Sequence, residues 1–248
     1  MQHQTEHYVF HYKEQSAAER DILEIASLQE GCFEFISGCL GADINGRIHY
    51  HLFDTAEEVG AQYAIVYKCD NDRPCNGFAL PSSRSEDGQE HVFAVYSDAV
   101  KCIGFHEDAH IISYSIGKPE PQFIREGLAM HFDRYWWGID KHTWTRYYIE
   151  RGEMPSIASI LTREGFNSFD CMLTYPIAGT FTSYLIERYG MGRYLEFYKS
   201  CKNSPERTFE QAFGEPIEAI EQSFIRYISM FELREELREL MKKDLEEE

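Results

Sequence analysis

The chain has 248 residues, enough to bury one sizeable hydrophobic core or two small ones. Hydrophobic residues make up 43% and aromatic residues 15% of the sequence, which is typical of a folded globular protein and not of a disordered one. The formal net charge of -18 argues against binding to nucleic acids or anionic membrane surfaces, because both need clusters of lysine and arginine.

Targeting signals are not visible in the sequence. No apolar run approaches the roughly 18 residues of a membrane span, and residues 1–15 lack the basic and apolar regions of a signal peptide. We therefore expect a cytoplasmic protein as the chain stands, or an extracytoplasmic one if a leader was removed. Cys69 and Cys75 could close a loop, but reduced thiols are the favoured interpretation. The oligomeric state stays open.

The first hundred residues alternate between strand and helix patterns. Predicted strands cover residues 7–13, 46–54 and 90–97. Apolar residues at helical spacing after the first strand predict an amphipathic helix that ends near Gly41. Thr55 and Glu58 form a capping box for a second, short helix. Residues 69–76 and 81–89 are rich in turn-forming residues and are predicted loops.

From about residue 100 onward the chain is predicted to be helical. Asp98 is a plausible cap and Gly117 a stop for a helix over 98–116. Further helical segments are predicted at 118–137, 171–190, 192–201, 205–214 and 215–248, the last ending in a charged, solvated tail. We expect an α+β fold in a single domain (1–248), with a strand-rich lobe (1–100), a helical lobe (101–248) and a cleft between them.

The stretch "FHEDAH" (105–110) carries the strongest chemical signal. On a helix, His106 and His110 project from one face, one turn apart, so both imidazoles can bind one zinc ion. Glu107 can then reach the open coordination position and act as a general base. For this composition, about 0.05 matches to His-Glu-x-x-His are expected by chance. Whether the motif is a zinc site therefore depends on the surrounding sequence.

A catalytic zinc site needs a third protein ligand and one open position. The sequence offers Glu126, in "FIREGLAMHF", 16 residues after His110. The gap allows the first helix to end at Gly117, turn through Pro119 and Pro121, and return antiparallel. Glu126 is then expected to face the two histidines.

These strings resemble the gluzincin zinc metallopeptidases, and more narrowly their peptidase MA-like domains. The resemblance rests on "HEDAH" (106–110), followed by "EGLA" (126–129). "YPIAGTFTSYLIERYG" (175–190) is similar to the Tyr-x-x-Ala-Gly-x-Phe segment found downstream in those domains. The strong overlap covers about residues 100–190, and the early strand–helix–strand pattern adds a weaker likeness.

The resemblance implies a zincin-like fold and Zn²⁺ as cofactor. Its ligands map onto His106, His110 and Glu126, and the base maps onto Glu107. Tyr175 matches a tyrosine that stabilises the oxyanion in the family. The resemblance also implies an edge strand that binds the main chain of the peptide, for which residues 77–83 and 90–97 are both candidates.

Several residues keep alternative interpretations. His131 could donate a hydrogen bond to a tetrahedral intermediate, although a structural histidine is favoured. Asp108 departs from the uncharged residues usual inside such motifs; it could point to solvent, or it could signal an altered site. His49 and His51 share one face of a predicted strand, where an ordinary surface is favoured over a metal site.

The expected function is zinc-dependent hydrolysis of peptide bonds in a peptide or protein substrate. An endopeptidase is favoured because the chain lacks the Gly-Ala-Met-Glu-Asn string of the aminopeptidase branch. Two alternatives stay open. One is a catalytically inactive protein of peptidase fold that binds or regulates a partner, and the other is a zinc hydrolase of a non-peptide amide.

Overall fold

The computed structural model of the protein describes residues 1–70, 73–202 and 205–247. Residues 71 and 72, inside the predicted loop 69–76, and residue 248, at the end of the predicted tail, lie outside the described residues. The described chain is α+β and forms two compact units, Met1–Ile116 and Gly117–Glu248. The helix that carries the His-Glu-x-x-His motif belongs to the first unit. The lobe boundary expected near residue 100 placed this helix in the helical lobe instead.

The first unit is a small mixed sheet with helices. Its strands are β1 (Gln2–Gln4), β2 (Tyr8–His11), β3 (Ile48–Phe53), β4 (Gly77–Leu80) and β5 (Glu90–Val95), and its helices are α1 (Ala17–Leu40), α2 (Ala56–Tyr67) and α3 (Phe105–Ile116). The strand order is β1-β2-β3-β5-β4. The inner strands β2, β3 and β5 are parallel, and each outer strand is antiparallel to its neighbour.

Helix α1 ends and helix α2 begins where local signals predict. The Ser16 hydroxyl accepts the first hydrogen bond of α1, and Gly41 ends that helix at a φ of 58°, a conformation that favours glycine. Thr55 accepts a hydrogen bond from the N–H of Glu58, and the Glu58 carboxylate accepts one from the N–H of Asp54. The predicted capping box is therefore confirmed, with its return bond one residue earlier than in the standard form.

The two faces of the sheet have different coverings. Along β3, Ile48, Tyr50 and Leu52 are buried on the face that contacts α1 and α3, while His49 and His51 lie half-buried on the opposite face. Helix α2 covers part of that opposite face through a cluster made by Val59, Phe78, Leu80, Phe93 and Val95. The period-two burial follows from the pleat of the strand.

The helix predicted to start at Asp98 starts instead at Phe105. Tyr96 pairs with Lys101 in an isolated β-bridge, so the chain makes a tight turn directly after β5. Gly104 then takes a φ of 123°, which interrupts any helix before residue 105. The prediction was wrong here because the bridge partners override the local capping signal of Asp98. The predicted stop at Gly117 is confirmed.

The second unit is mainly helical. Its elements are α4 (Gln122–Asp133), β6 (Tyr135–Trp136), β7 (Ile139–Asp140), α5 (Lys141–Arg151), α6 (Ile157–Ile160), α7 (Arg163–Asn167), α8 (Cys171–Tyr189), α9 (Met191–Ser200), α10 (Pro205–Phe213), α11 (Ile217–Ile228) and α12 (Glu235–Glu247). The helix predicted over 118–137 was too long, because β6 and β7 form a short hairpin after α4. Among the described residues, no helix is both long and apolar enough to span a membrane.

The C-terminal segment also differs from its prediction. One helix followed by a solvated tail was expected over 215–248, but α11 ends at Ile228 and a separate helix, α12, follows. The side chain of Met241 on α12 is fully buried, in a cluster with Trp144 and Tyr148 of α5. Helix α12 therefore packs its apolar side against the second unit, and most of its charged side chains face solvent.

This docking predicts a difference between two methionines. Met241→Ala is expected to lower the free energy of unfolding by about 2–4 kcal/mol, because it leaves a cavity in a buried cluster. Met230→Ala removes the same atoms from a side chain that is 78% exposed, and is expected to change stability by less than about 0.5 kcal/mol. Urea unfolding of both variants measures the contrast. Equal values would mean that α12 is not docked.

Candidate metal centre

Helix α3 presents the two histidines of the motif on one face. The ring centroids of His106 and His110 are 5.1 Å apart and the ring planes are nearly perpendicular, at 81°. His110 and Glu107 are almost buried, with 6% and 9% of their surface exposed. Away from these two histidines, Ile111 and Ile112 are buried. The helical interpretation of residues 105–116 is confirmed.

Asp108 holds α3 against the rest of the first unit. Its side chain is fully buried, so the alternative that it points to solvent is wrong. Carboxylate Oδ2 accepts hydrogen bonds from the Tyr8 hydroxyl at 2.5 Å and from Gln29 Nε2 at 2.9 Å. The amide of Gln29 also binds the backbone of Gly104, where Oε1 accepts from the N–H at 2.7 Å. Side chains from β2 and α1 thus fix the start and the rotation of α3.

The electrostatics of this contact reflect its burial. Removal from water raises the pKa of the Asp108 carboxyl well above its usual range, while the hydrogen bonds from Tyr8 and Gln29 act in the opposite direction. Burial, with the nearby Asp108 as the next cause, raises the pKa of the Tyr8 hydroxyl. A buried carboxyl without donors would cost several kcal/mol, so these two partners are what makes the position tolerable.

Helix α4 carries Glu126 and crosses α8 at very short range. A Cβ atom on Gly127 would lie 2.4 Å from Thr182 Oγ1 and 2.8 Å from the carbonyl oxygen of Ala178. On α8, a Cβ on Gly179 would lie 2.5 Å from Met130 Cβ. Each helix therefore places a glycine where the other comes closest. The strings "EGLA" on α4 and "YPIAGTF" on α8 therefore contain the two glycines at which these helices cross. Glu126 is adjacent to this crossing.

The ligand atoms of His106, His110 and Glu126 all lie within 4.8 Å of one another. No other such group of histidine, cysteine, aspartate or glutamate side chains is found in the part of the chain that the structure describes. Ligand atoms around a tetrahedral zinc ion are roughly 3.3 Å apart, given bonds of about 2.0–2.2 Å. The three atoms therefore have to approach one another somewhat to hold such an ion. Two imidazoles and one carboxylate also form a donor set that zinc accepts.

Glu107 lies beside the outer strand β4. A Cβ atom on Gly77, the first residue of β4, would lie 3.2 Å from Glu107 Oε1 and 3.3 Å from the carbonyl oxygen of Phe93. The strand order also decides between the two candidate edge strands. β4 is at the edge of the sheet, whereas β5 lies between β3 and β4 and has no free edge. Only residues 77–80 among those candidates can pair with an extended peptide.

Tyr175 and His131 both have identified partners in the second unit. The Tyr175 ring stacks on Trp136 with centroids 4.9 Å apart. His131 Nδ1 is 2.9 Å from Ser183 Oγ. Burial, with Lys141 as the next cause, lowers the pKa of His131 to about 4, so this imidazole is neutral near pH 7. Roles for either residue at an oxyanion stay predictions.

Comparisons with known proteins give no independent information about this candidate metal site. No protein-family model matches the sequence, and a search of curated proteins finds no match.

The Asp108 contacts predict a stability difference between two aspartates. Asp108→Ala removes the carboxylate acceptor that Tyr8 and Gln29 share and leaves their donors only the longer bonds to the backbone carbonyls of Gln29 and Gly104, so it is expected to cost about 1–3 kcal/mol. Asp98→Ala alters a carboxylate that is 80% exposed and pairs with Arg20, so a change below about 0.5 kcal/mol is expected. Chemical unfolding of both variants provides the comparison. A loss at Asp108 no larger than that at Asp98 would contradict the anchoring role.

The helix crossing predicts opposite effects for two glycine substitutions. Gly127→Ala forces a methyl group against Thr182 and Ala178 and is expected to destabilise the protein by about 1–3 kcal/mol. Gly31→Ala, in the middle of α1, meets nothing within 4 Å and is expected to stabilise by about 0.5–1 kcal/mol. Thermal unfolding measures both. A stabilised Gly127→Ala variant would show that α4 and α8 are not in close contact.

Proposed function

We propose that this chain is a zinc-dependent hydrolase of peptide bonds, with a zincin-like fold. The observation that carries the proposal is the convergence of His106, His110 and Glu126 ligand atoms within 4.8 Å. A chance metal site would not need a glutamate directly after the first histidine, nearly buried at 9% exposure and next to a sheet edge. Motif, ligand set and neighbouring edge strand together support one chemistry.

The proposed metal site supplies one part of the reaction, and the side chains supply the rest. A zinc ion held by these ligands would act as a Lewis acid toward the scissile carbonyl and lower the pKa of water to about 7. The carboxylate of Glu107 accepts the proton from the attacking water and passes it to the nitrogen of the leaving amine. Its partial burial keeps competing solvent away from that carboxylate.

Substrate positioning is assigned to β4. An extended peptide can add to the free edge of this strand by main-chain hydrogen bonds. Gly77 lies at the end of β4 next to Glu107, so a peptide paired there passes close to the proposed base. The side chains of Tyr175 and His131 are proposed as hydrogen-bond donors to the developing oxyanion. We assign cleavage to internal peptide bonds, because the aminopeptidase string is absent from the sequence.

The test is the substitution Glu107→Gln. It is expected to keep one equivalent of zinc but to lower cleavage of a peptide library by about 10²–10⁴-fold, since the amide cannot accept the proton. Zinc content is measured by elemental analysis, and cleavage by mass spectrometry with and without a chelator. Glu57→Gln, an exposed glutamate on α2, is the matched control and is expected to cleave at the parent rate.

Two further results complete the test. His110→Ala and Glu126→Ala are each expected to lose both zinc and cleavage. Cleavage by Glu107→Gln at the parent rate would overturn the assigned base. Zinc binding without cleavage of any peptide by the parent would favour a binding protein of this fold, or a hydrolase of another amide, over a peptidase.

A further inference from the structure

Four histidines lie together on the sheet face opposite α1 and α3. We call His11, His49, His51 and His91 the histidine array. Parallel pairing places His11 of β2 beside His51 of β3, and His49 of β3 beside His91 of β5. The ring centroids of these two pairs are 4.5 Å and 5.2 Å apart. Strand register, and not proximity in the sequence, therefore brings the four imidazoles together.

The ring nitrogens of the array face each other in two close pairs. His51 Nε2 lies 3.0 Å from His91 Nδ1, and His11 Nε2 lies 3.1 Å from His49 Nδ1. Each pair has an outer partner. Asp87 Oδ1 lies 2.9 Å from His91 Nε2, whereas the partner of His11 is the amide of a glutamine, Gln2, at 3.2 Å.

Each of these contacts requires that the accepting ring is neutral. Two nitrogens at hydrogen-bond distance share one hydrogen, so one of them must present a lone pair. Asp87 only accepts, so His91 Nε2 carries a hydrogen, and in the neutral form of the ring His91 Nδ1 then presents a lone pair to His51. Burial lowers the pKa of His51 to about 3, and lowers those of His11 and His49 in the same direction. Neutral imidazole is the form that binds metal ions.

We propose that His51 Nε2 and His91 Nδ1 are the protein ligands of a divalent transition-metal ion of the copper(II) or nickel(II) kind. Two nitrogens that occupy neighbouring positions of a tetragonal complex, at bonds of about 2.0–2.1 Å, are roughly 2.9 Å apart, against roughly 3.3 Å in a tetrahedral one. The present separation of 3.0 Å fits the tetragonal edge. Each ring has to turn so that both lone pairs point at one ion.

The contact with Asp87 is the reason to assign the ion to His51 and His91 and not to His11 and His49. A carboxylate on the outer nitrogen of a metal-binding histidine fixes its tautomer and compensates the charge of the ion. His91 keeps its hydrogen on Nε2 for Asp87, and His51 carries its hydrogen on Nδ1 once Nε2 binds the ion, so no proton is released. In the described part of the chain no third side-chain ligand joins this pair within 4.8 Å, and water fills the remaining positions.

The experiment uses the full chain in a His106→Gln, His110→Gln background, which removes the ligands of the proposed zinc site. Copper(II) is titrated by calorimetry and followed by electron paramagnetic resonance. One equivalent is expected, with hyperfine splitting from two imidazole nitrogens. His51→Asn and His91→Asn are each expected to weaken binding at least ten-fold. Asp87→Asn, which leaves both rings in place, is expected to weaken it by about 10–100-fold.

His3→Asn is the matched control, because His3 lies on β1 outside the histidine array. The copper affinity of this variant is expected to equal that of the background protein. Unchanged copper affinity in both the His91→Asn and Asp87→Asn variants would overturn the proposal, and so would the absence of nitrogen splitting. If a ring variant does not fold, as judged by circular dichroism, Asp87→Asn decides. Zinc content of His51→Asn in the otherwise parent chain reports on the proposed zinc site separately, so the two proposals can fail independently.

Discussion

A buried carboxyl group sets the orientation of the helix that carries the motif. Asp108 lies on the side of α3 away from His106 and His110, and is held there by donors from β2 and α1. Turning α3 about its axis would pull this group off its partners and leave polar atoms buried without hydrogen bonds. The direction in which the two imidazoles point is therefore fixed by a residue outside the candidate ligand set. The charge inside the motif, which at first suggests an altered site, is part of its support.

The second unit constrains Glu126 by close packing instead of hydrogen bonding. Gly127 and Gly179 leave no space for a side chain at the crossing of α4 and α8. The glutamate next to Gly127 is carried on a helix whose position is thereby restricted by close packing. Sequence strings that resemble a catalytic signature thus include residues with no chemical role, selected because only hydrogen fits at that point.

Histidine serves two different purposes on the two faces of the first unit. On α3, the pair of imidazoles is separated by one helical turn and accompanied by a glutamate. On the sheet, imidazoles meet across neighbouring strands, and burial lowers the pKa of His51. Metal binding in either setting requires a ring nitrogen without its proton. The two settings differ in the number of candidate ligand atoms that lie together, three in the first case and two in the second.

The sequence by itself determined the local structure and the core of the candidate site. Gly41 and Thr55 predict helix ends because capping depends on residues within one turn. The spacing of His106 and His110 fixes their common face for the same reason. Tertiary structure alone decided features that join distant residues. The start of α3 depends on a bridge after β5, the burial of Asp108 on a tyrosine 100 residues away, and the array on the register of three strands. No pattern within one element encodes which partner a side chain meets across the fold, so these contacts appear only once the chain has packed.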